Sequence, residues 1–303
     1  MGLRAKTIAI VSCIFLAVVV SIDLIFSQYL IKQVQEFEVQ LARKNLERVR
    51  QGVVAIQAAA LERVVDWGHW DETERFVLGK NPDYIESNLT YSALEAFDTE
   101  HFLFIKGDGG IYHAGELSYA NKKIVPLEKQ KANEILRHKE VSSFMRRPNE
   151  KGLAGLILVS GAPVFVSVST ITDNYLSKKQ SGFLIFTKTF SDNLQEQIRR
   201  QSQLPVKFKL DMLESSSRNQ DGAAIKLMEA QTETGSMAVV GGLPGLDGRQ
   251  ILSVEFSQSR ETFDRAIKAR SSLLWMMAVL LLVANGVVLL FLDRVVLMPL
   301  STH

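Results

Sequence analysis

The chain has 303 residues, enough for one large domain or two small ones, and a formal net charge of +2. So small a charge, with no basic stripe interleaved with aromatics, excludes nucleic acid as an expected partner. The 47% hydrophobic content is unevenly spread: two apolar runs near the ends flank a mixed, globular-looking middle.

The first run is Ile8 to Phe26, broken by Asp23 and small polar residues; the second, Ser272 to Leu292, carries no charge. About 20 apolar residues at about 1.5 Å rise cross the hydrocarbon core, so both runs predict transmembrane helices, over residues 7–28 and 271–292. A cleaved signal would have a shorter core and an A-x-A-like site. Here the chain instead runs on into Tyr29-Leu30-Ile31-Lys32-Gln33. Arg4 and Lys6 place residues 1–6 in the cytoplasm. Arg265, Lys268 and Arg270 on the outer flank of the second span oppose this, but long loops translocate with little regard to charge. Residues 29–270 are then periplasmic, with Asp23 near the outer end of its span. The single cysteine, Cys13, lies inside the first span, so the outer domain has no internal disulfide.

From about Gln28 to Leu78 the spacing predicts one long helix. Leu30, Val34, Phe37 and Leu41 form one seam; Ala42, Leu46, Val49, Val53, Ile56 and Ala60 form another, out of register with it. The break suggests a change of partner, the first seam facing a second subunit and the second seam the domain's own sheet. A single amphipathic helix on a core is the alternative. Residues 101–106 and 111–113, joined by Gly107-Asp108-Gly109-Gly110, predict a hairpin. Pro126 to His138 predicts a helix. Leu153–Val159 and Val164–Ile171 predict a second hairpin around Ser160-Gly161-Ala162-Pro163. Gly182–Lys188 predicts a strand, and Ser191–Gln201 a helix capped by Ser191. Further strands are expected at Val206–Leu210, Ser236–Gly241 and Gln250–Phe256, extending the sheet or forming a second lobe, with a loop at Glu214–Gly222. From Ser257 an unbroken helix leads into the second span. The simplest layering is α+β: a long N-terminal helix packed on an antiparallel sheet with helices on one side.

The densest unusual segment is Asp66-Trp67-Gly68-His69-Trp70-Asp71-Glu72-Thr73. On a continuous helix Asp66, Trp70 and Thr73 share one face, and Trp67, Asp71 and Glu74 the adjacent one. Asp66-Trp67-x-x-Trp70-Asp71-x-Thr73-x-x-Phe76, with Asn81-Pro82-x-Tyr84-Ile85-x-Ser87-Asn88-Leu89, resembles the CHASE domain of the fourth type. Gly152-x-x-Gly155-Leu156, Gly161-x-Pro163, Ser181 to Phe186, Gly248 to Val254 and Arg260 extend the resemblance over about residues 35–260. The resemblance implies an extracytoplasmic PAS/Cache-like sensor between two spans of a bacterial inner-membrane receptor. Relatives usually continue into a HAMP linker and a diguanylate cyclase, cyclic-di-GMP phosphodiesterase or histidine kinase. Arg294-Val295-Val296-Leu297-Met298-Pro299-Leu300 resembles the start of a HAMP segment, with Pro299 as its output proline. The sequence stops at His303 without an output domain, and is read as a truncated piece, a partial gene product or a degenerate receptor.

No H-E-x-x-H, nucleophile elbow or Walker loop is present, and His69, His101, His113 and His138 are expected to be structural rather than catalytic. No cofactor or metal is expected. Trp67 and Trp70 read first as a clamp between helix and sheet and second as pocket walls; Asp66 and Asp71 read first as acceptors of loop N–H groups and second as ligands for a cationic or amine signal molecule. Thr73, Phe76, Tyr84 and Asn88 belong to the same motif. By strand order alone, the Cache ligand positions fall on Tyr112, Phe165, Ser167 and Thr170. The function expected is sensory input for an unidentified periplasmic small molecule or protein, through a homodimer, most readily to cyclic-di-GMP synthesis or hydrolysis. The alternatives are a chemoreceptor or histidine-kinase input, or a protein-interaction module without a small ligand.

Overall fold

A computed structural model describes residues 3–176, 180–210, 226–228, 236–292 and 294. The loop expected at 214–222 and the expected HAMP start with Pro299 lie outside them, Arg294 apart. The described residues form two compact units: one from within Met1–Arg43, Glu229–Ala238 and Gln258–His303, the other from within Lys44–Met228 and Val239–Ser257.

Helix α1 runs Leu3–Gly68, a length that the absence of proline before Pro82 permits. Its distal seam is buried as the spacing requires: Ala42, Leu46, Val49, Val53 and Ile56 are all in the core. The helix stops at Gly68, ten residues before the expected end, and Trp70 is extended (φ −94°, ψ 136°) before α2, Asp71–Val77. The cause is tertiary. Gly68 O accepts from Thr172 N at 3.1 Å, and a Cβ on Gly68 would stand 2.7 Å from Thr170 O. The face shared by Asp66, Trp70 and Thr73 on a continuous helix therefore does not exist. Short helices α3 (Tyr84–Asn88) and α4 (Tyr91–Ala96) follow.

Strands β1 (His101–Lys106), β2 (Ile111–Ser118) and β3 (Lys123–Pro126) come next, then α5 (Lys129–Arg137), α6 (Lys139–Arg146), β4 (Leu153–Val159), β5 (Ala162–Ile171) and β6 (Gly182–Thr189). Pro126 thus closes a strand instead of opening a helix. Ser160 and Gly161 both have positive φ (50° and 77°), a two-residue turn that puts Pro163 inside β5, opposite Leu158. The six strands form an antiparallel sheet in the order β3-β2-β1-β6-β5-β4.

The central strands are apolar on both faces, so both must be covered. Leu103, Ile105, Val166, Val168, Phe183 and Ile185 pack under Ile135 of α5 and Phe144 of α6. Phe102, Phe104, Leu184 and Phe186 pack with Val64, Trp67, Phe76 and Tyr84. Helices therefore cover both faces, not the single face expected.

Helix α7 (Asp192–Ser202) precedes β7 (Lys207–Leu210), β8 (Lys226–Met228), β9 (Ser236–Pro244) and β10 (Gln250–Ser259). The last four strands make a separate sheet, β7-β10-β9-β8, not an extension of the first. Gly241 lets it approach α1: a Cβ there would lie 2.4 Å from Leu46 Cδ2.

β10 continues to Ser259, so the last helix, α8, begins at Glu261 and runs to Leu292. α1 and α8 each hold a segment long and apolar enough to cross a membrane. Among the described residues, two polar pairs join α1 and α8 within their unit, and a third ties α1 to Arg260, which directly precedes α8. Arg260 grips Glu38 through Nε–Oε1 and Nη2–Oε2, both 3.3 Å. Arg270 pairs with Asp23 at 3.2 Å, and Asn285 Nδ2 donates to Ser12 Oγ at 3.0 Å.

Candidate functional site

The tryptophan motif folds onto the sheet through one polar node. Trp67 is almost fully buried, and its Nε1–H donates to Tyr84 Oη at 2.6 Å. Thr73 Oγ1 lies 2.7 Å from the same oxygen. An indole only donates, so Tyr84 accepts from Trp67 while keeping its own phenol proton, and either hydroxyl can donate in the contact with Thr73. Burial pushes the Tyr84 phenol above its ordinary pKa, which keeps that proton in place. Around the node Trp67 touches Phe97 and Phe186, with centroids 4.5 and 5.4 Å away, and Trp70 at 5.9 Å. Phe76 stacks on Tyr84 at 4.4 Å.

The carboxylates divide. Asp71 Oδ1 accepts from Asn174 N at 3.0 Å, and Asp71 N donates back to Asn174 Oδ1 at 3.3 Å. Asp66 is exposed. Glu74, which the helix pattern placed beside Trp67 and Asp71 without giving it a role, is buried and accepts from Ser181 Oγ at 2.8 Å. α2 therefore holds the segment after β5 at two points. Asn88 donates to Ser87 Oγ at 3.0 Å, at the motif's edge.

The four expected ligand positions do not meet. Tyr112 packs on Phe76 with centroids 4.9 Å apart. Phe165 is buried against Phe190, and Ser167 Oγ faces Phe186 O at 3.5 Å. Thr170 Oγ1 meets His69 Nε2 at 3.4 Å. An odd offset along β5 puts Thr170 on the opposite face from Phe165 and Ser167.

Space with polar walls lies elsewhere, at the end of the six-stranded sheet beneath α5. A cavity of about 290 Å³ is lined by Glu100, His101, Glu116, Tyr119, Lys131 and Thr189, among others. His101 is 8% exposed; its Nδ1 lies 2.8 Å from Thr187 Oγ1 and its Nε2 3.5 Å from Glu116 Oε2. Lys131 Nζ lies 3.1 Å from that same oxygen. Burial holds the imidazole below its ordinary pKa, against the pull of Glu116. Sequence could not join these groups, because they come from β1, β2 and α5 and meet only through the register His101↔Glu116. An open groove of about 670 Å³ runs along α5 past Glu134 and His138, and the Glu134 carboxylate there accepts from Ser160 N. Among the described residues no group of three or more His, Cys, Asp or Glu side chains is arranged to hold a metal ion.

Residues 57–209 match the CHASE4 domain. The chain belongs to the CHASE4 family. This CHASE4 chain is 23% identical over 242 residues to the methanogenesis regulatory histidine kinase FilI of Methanothrix harundinacea (strain 6Ac), covering 78% of this chain and 26% of that protein. It thus spans about a quarter of that relative. Its fold is similar to the crystal structure of the Vibrio cholerae LuxQ periplasmic domain, with a TM-score of 0.50, 12% identity, and coverage of 73% of this chain and 99% of that one. The α+β fold is therefore shared; in this chain a long N-terminal helix precedes the sheet and an apolar helix follows it.

Proposed function

We propose that this chain is the sensory input of a two-span inner-membrane receptor, with residues 29–270 in the periplasm. The observation that carries this reading is the position of the CHASE4 match, residues 57–209, between two helices apolar enough to span a membrane. A signal acts by binding one arrangement of the domain and its helices more tightly than another; only that difference in affinity can shift their balance. A histidine kinase is the output this reading favours, since the curated relative is one. A cyclic-di-GMP enzyme has no comparable support. The Trp67–Tyr84–Thr73 node serves as a clamp that fixes the end of α1 to the sheet, and the receptor works as a homodimer.

Topology is the decisive test. Tyr175 is 85% exposed. In a Cys13→Ser background, Tyr175→Cys should react with a membrane-impermeant maleimide in unlysed spheroplasts. Labelling only after lysis would place the domain in the cytosol and end this reading.

A further inference from the structure

The cavity beneath α5 has a charge imbalance that names its ligand chemistry. Glu100 and Glu116 bring two negative charges and Lys131 one positive charge. His101 is buried and its pKa lowered, so it adds none at neutral pH. Each carboxylate commits Oε2 to the protein: Glu100 Oε2 accepts from Thr189 N at 2.9 Å, and Glu116 Oε2 serves Lys131 and His101. The Oε1 atoms of both have no hydrogen-bond partner among the described residues. Uncompensated charge in a partly desolvated cleft is costly unless an opposite charge enters.

Two further features favour a cation. The Tyr119 phenol, beside the cavity, is pushed up to about 12 by partial burial and by Glu100, Asp98 and Glu95, which reports a negative potential there. Tyr119 is also an aromatic residue of the cavity lining, and such rings attract ammonium groups. The volume, about 290 Å³, falls just below the range of about 300 to 1,000 Å³ usual for ligand cavities, so only a small molecule fits.

We propose that this cavity binds a small organic molecule through its protonated amine, which bridges Glu100 and Glu116 beside Tyr119. The proposal rests on the sensor reading and supplies its ligand class. Simple amines and α-amino acids share this chemistry; an amino acid would add a carboxylate for Lys131.

The test is calorimetric titration of the full chain in detergent with ethanolamine, 1-butylamine and L-alanine, and with ethylene glycol and 1-butanol as neutral counterparts. At least one amine should bind and raise Tm, and the neutral molecules should do neither. Glu116→Gln and Glu100→Gln should each weaken that binding roughly tenfold or more, the loss expected for a charge-assisted contact. Glu100→Gln decides alone if the other variant fails to fold, because its amide oxygen can still accept from Thr189. Lys131→Met should weaken L-alanine but not the simple amines if the ligand is an amino acid. No binding by any of the three, or binding unchanged by either Glu substitution, overturns the site. Maleimide labelling at Tyr175→Cys judges the sensor reading independently, so the two can fail separately.

Discussion

At the scale of single residues, the strongest commitments are buried hydroxyl and imidazole groups. Tyr84 Oη takes the Trp67 indole proton at 2.6 Å and meets Thr73 at 2.7 Å. Tyr84→Phe keeps the ring stacked on Phe76 but leaves a buried N–H unsatisfied, at a cost of about 1–3 kcal/mol. A clear fall in Tm of the full chain in detergent is expected. In a Trp67→Phe background the same change should cost less, since the donor is already gone; equal losses in both backgrounds would dissolve the node. His101 makes a pH prediction. Burial lowers its pKa from 6.5, so the unfolded chain binds that proton more readily than the folded one. Stability from this group is complete above pH 6.5 and is lost as pH falls below it toward the lowered value. His69 and His113 are shifted the same way by burial. His101→Gln should therefore shrink the fall in Tm on acidification without abolishing it. An unchanged slope would mean His101 titrates as it does in the unfolded chain.

At the scale of elements, the pairs between α1 and α8 deserve a direct perturbation. Asp23 and Arg270 lie at 3.2 Å, near the end of the apolar run of α1 and just before that of α8, and in the proposed membrane setting an ion left alone near hydrocarbon would be expensive. Ser12→Cys with Asn285→Cys, in a Cys13→Ser background, turns the 3.0 Å contact between those side chains into a reporter of helix register. Arg270→Asp should sharply lower disulfide yield, and the swap Asp23→Arg with Arg270→Asp should restore it. Equal yield in all three would show that the charges do not set the register. Neither pair was legible in the sequence, where Asp23 and Arg270 stand 247 residues apart. What was legible followed from local periodicity for the seam from Ala42 to Ile56 and the strands β1, β4, β5 and β6, and from the family resemblance for the motif residues Trp67, Thr73, Phe76 and Tyr84. The break at Gly68 was not, because a carbonyl from β5 causes it. β3, α3, α4 and α6 are too short for a period to emerge. Strand order alone did not show that Thr170 lies on the opposite face of β5 from Phe165 and Ser167, because one residue of offset reverses a side chain's face. The cavity beneath α5 stayed hidden because its walls come from separate elements.

At the scale of the whole molecule, the unspent surface is the membrane-proximal seam of α1. The distal seam is used up inside the domain, with Leu46 and Val49 at most 2% exposed. Phe37, in the other seam, is 52% exposed although it lies past the apolar run Ile8 to Phe26 of α1. A second copy packed along this seam would bury the ring twice, once in each subunit, because a two-fold interface repeats every contact. With half the ring already covered, each copy gains about 1 kcal/mol from burial, so Phe37→Glu should weaken association by about 2 kcal/mol, roughly thirtyfold. Sedimentation equilibrium in detergent should show the chain as a dimer that dissociates at higher concentration once Phe37 is replaced, with Tm nearly unchanged because the ring supports no intrasubunit core. Leu46→Glu makes the opposite case: it should unfold the domain before it alters association. A chain that sediments as a monomer whichever residue stands at position 37 would leave the seam without a partner, and the receptor would have to signal through a single pair of spans.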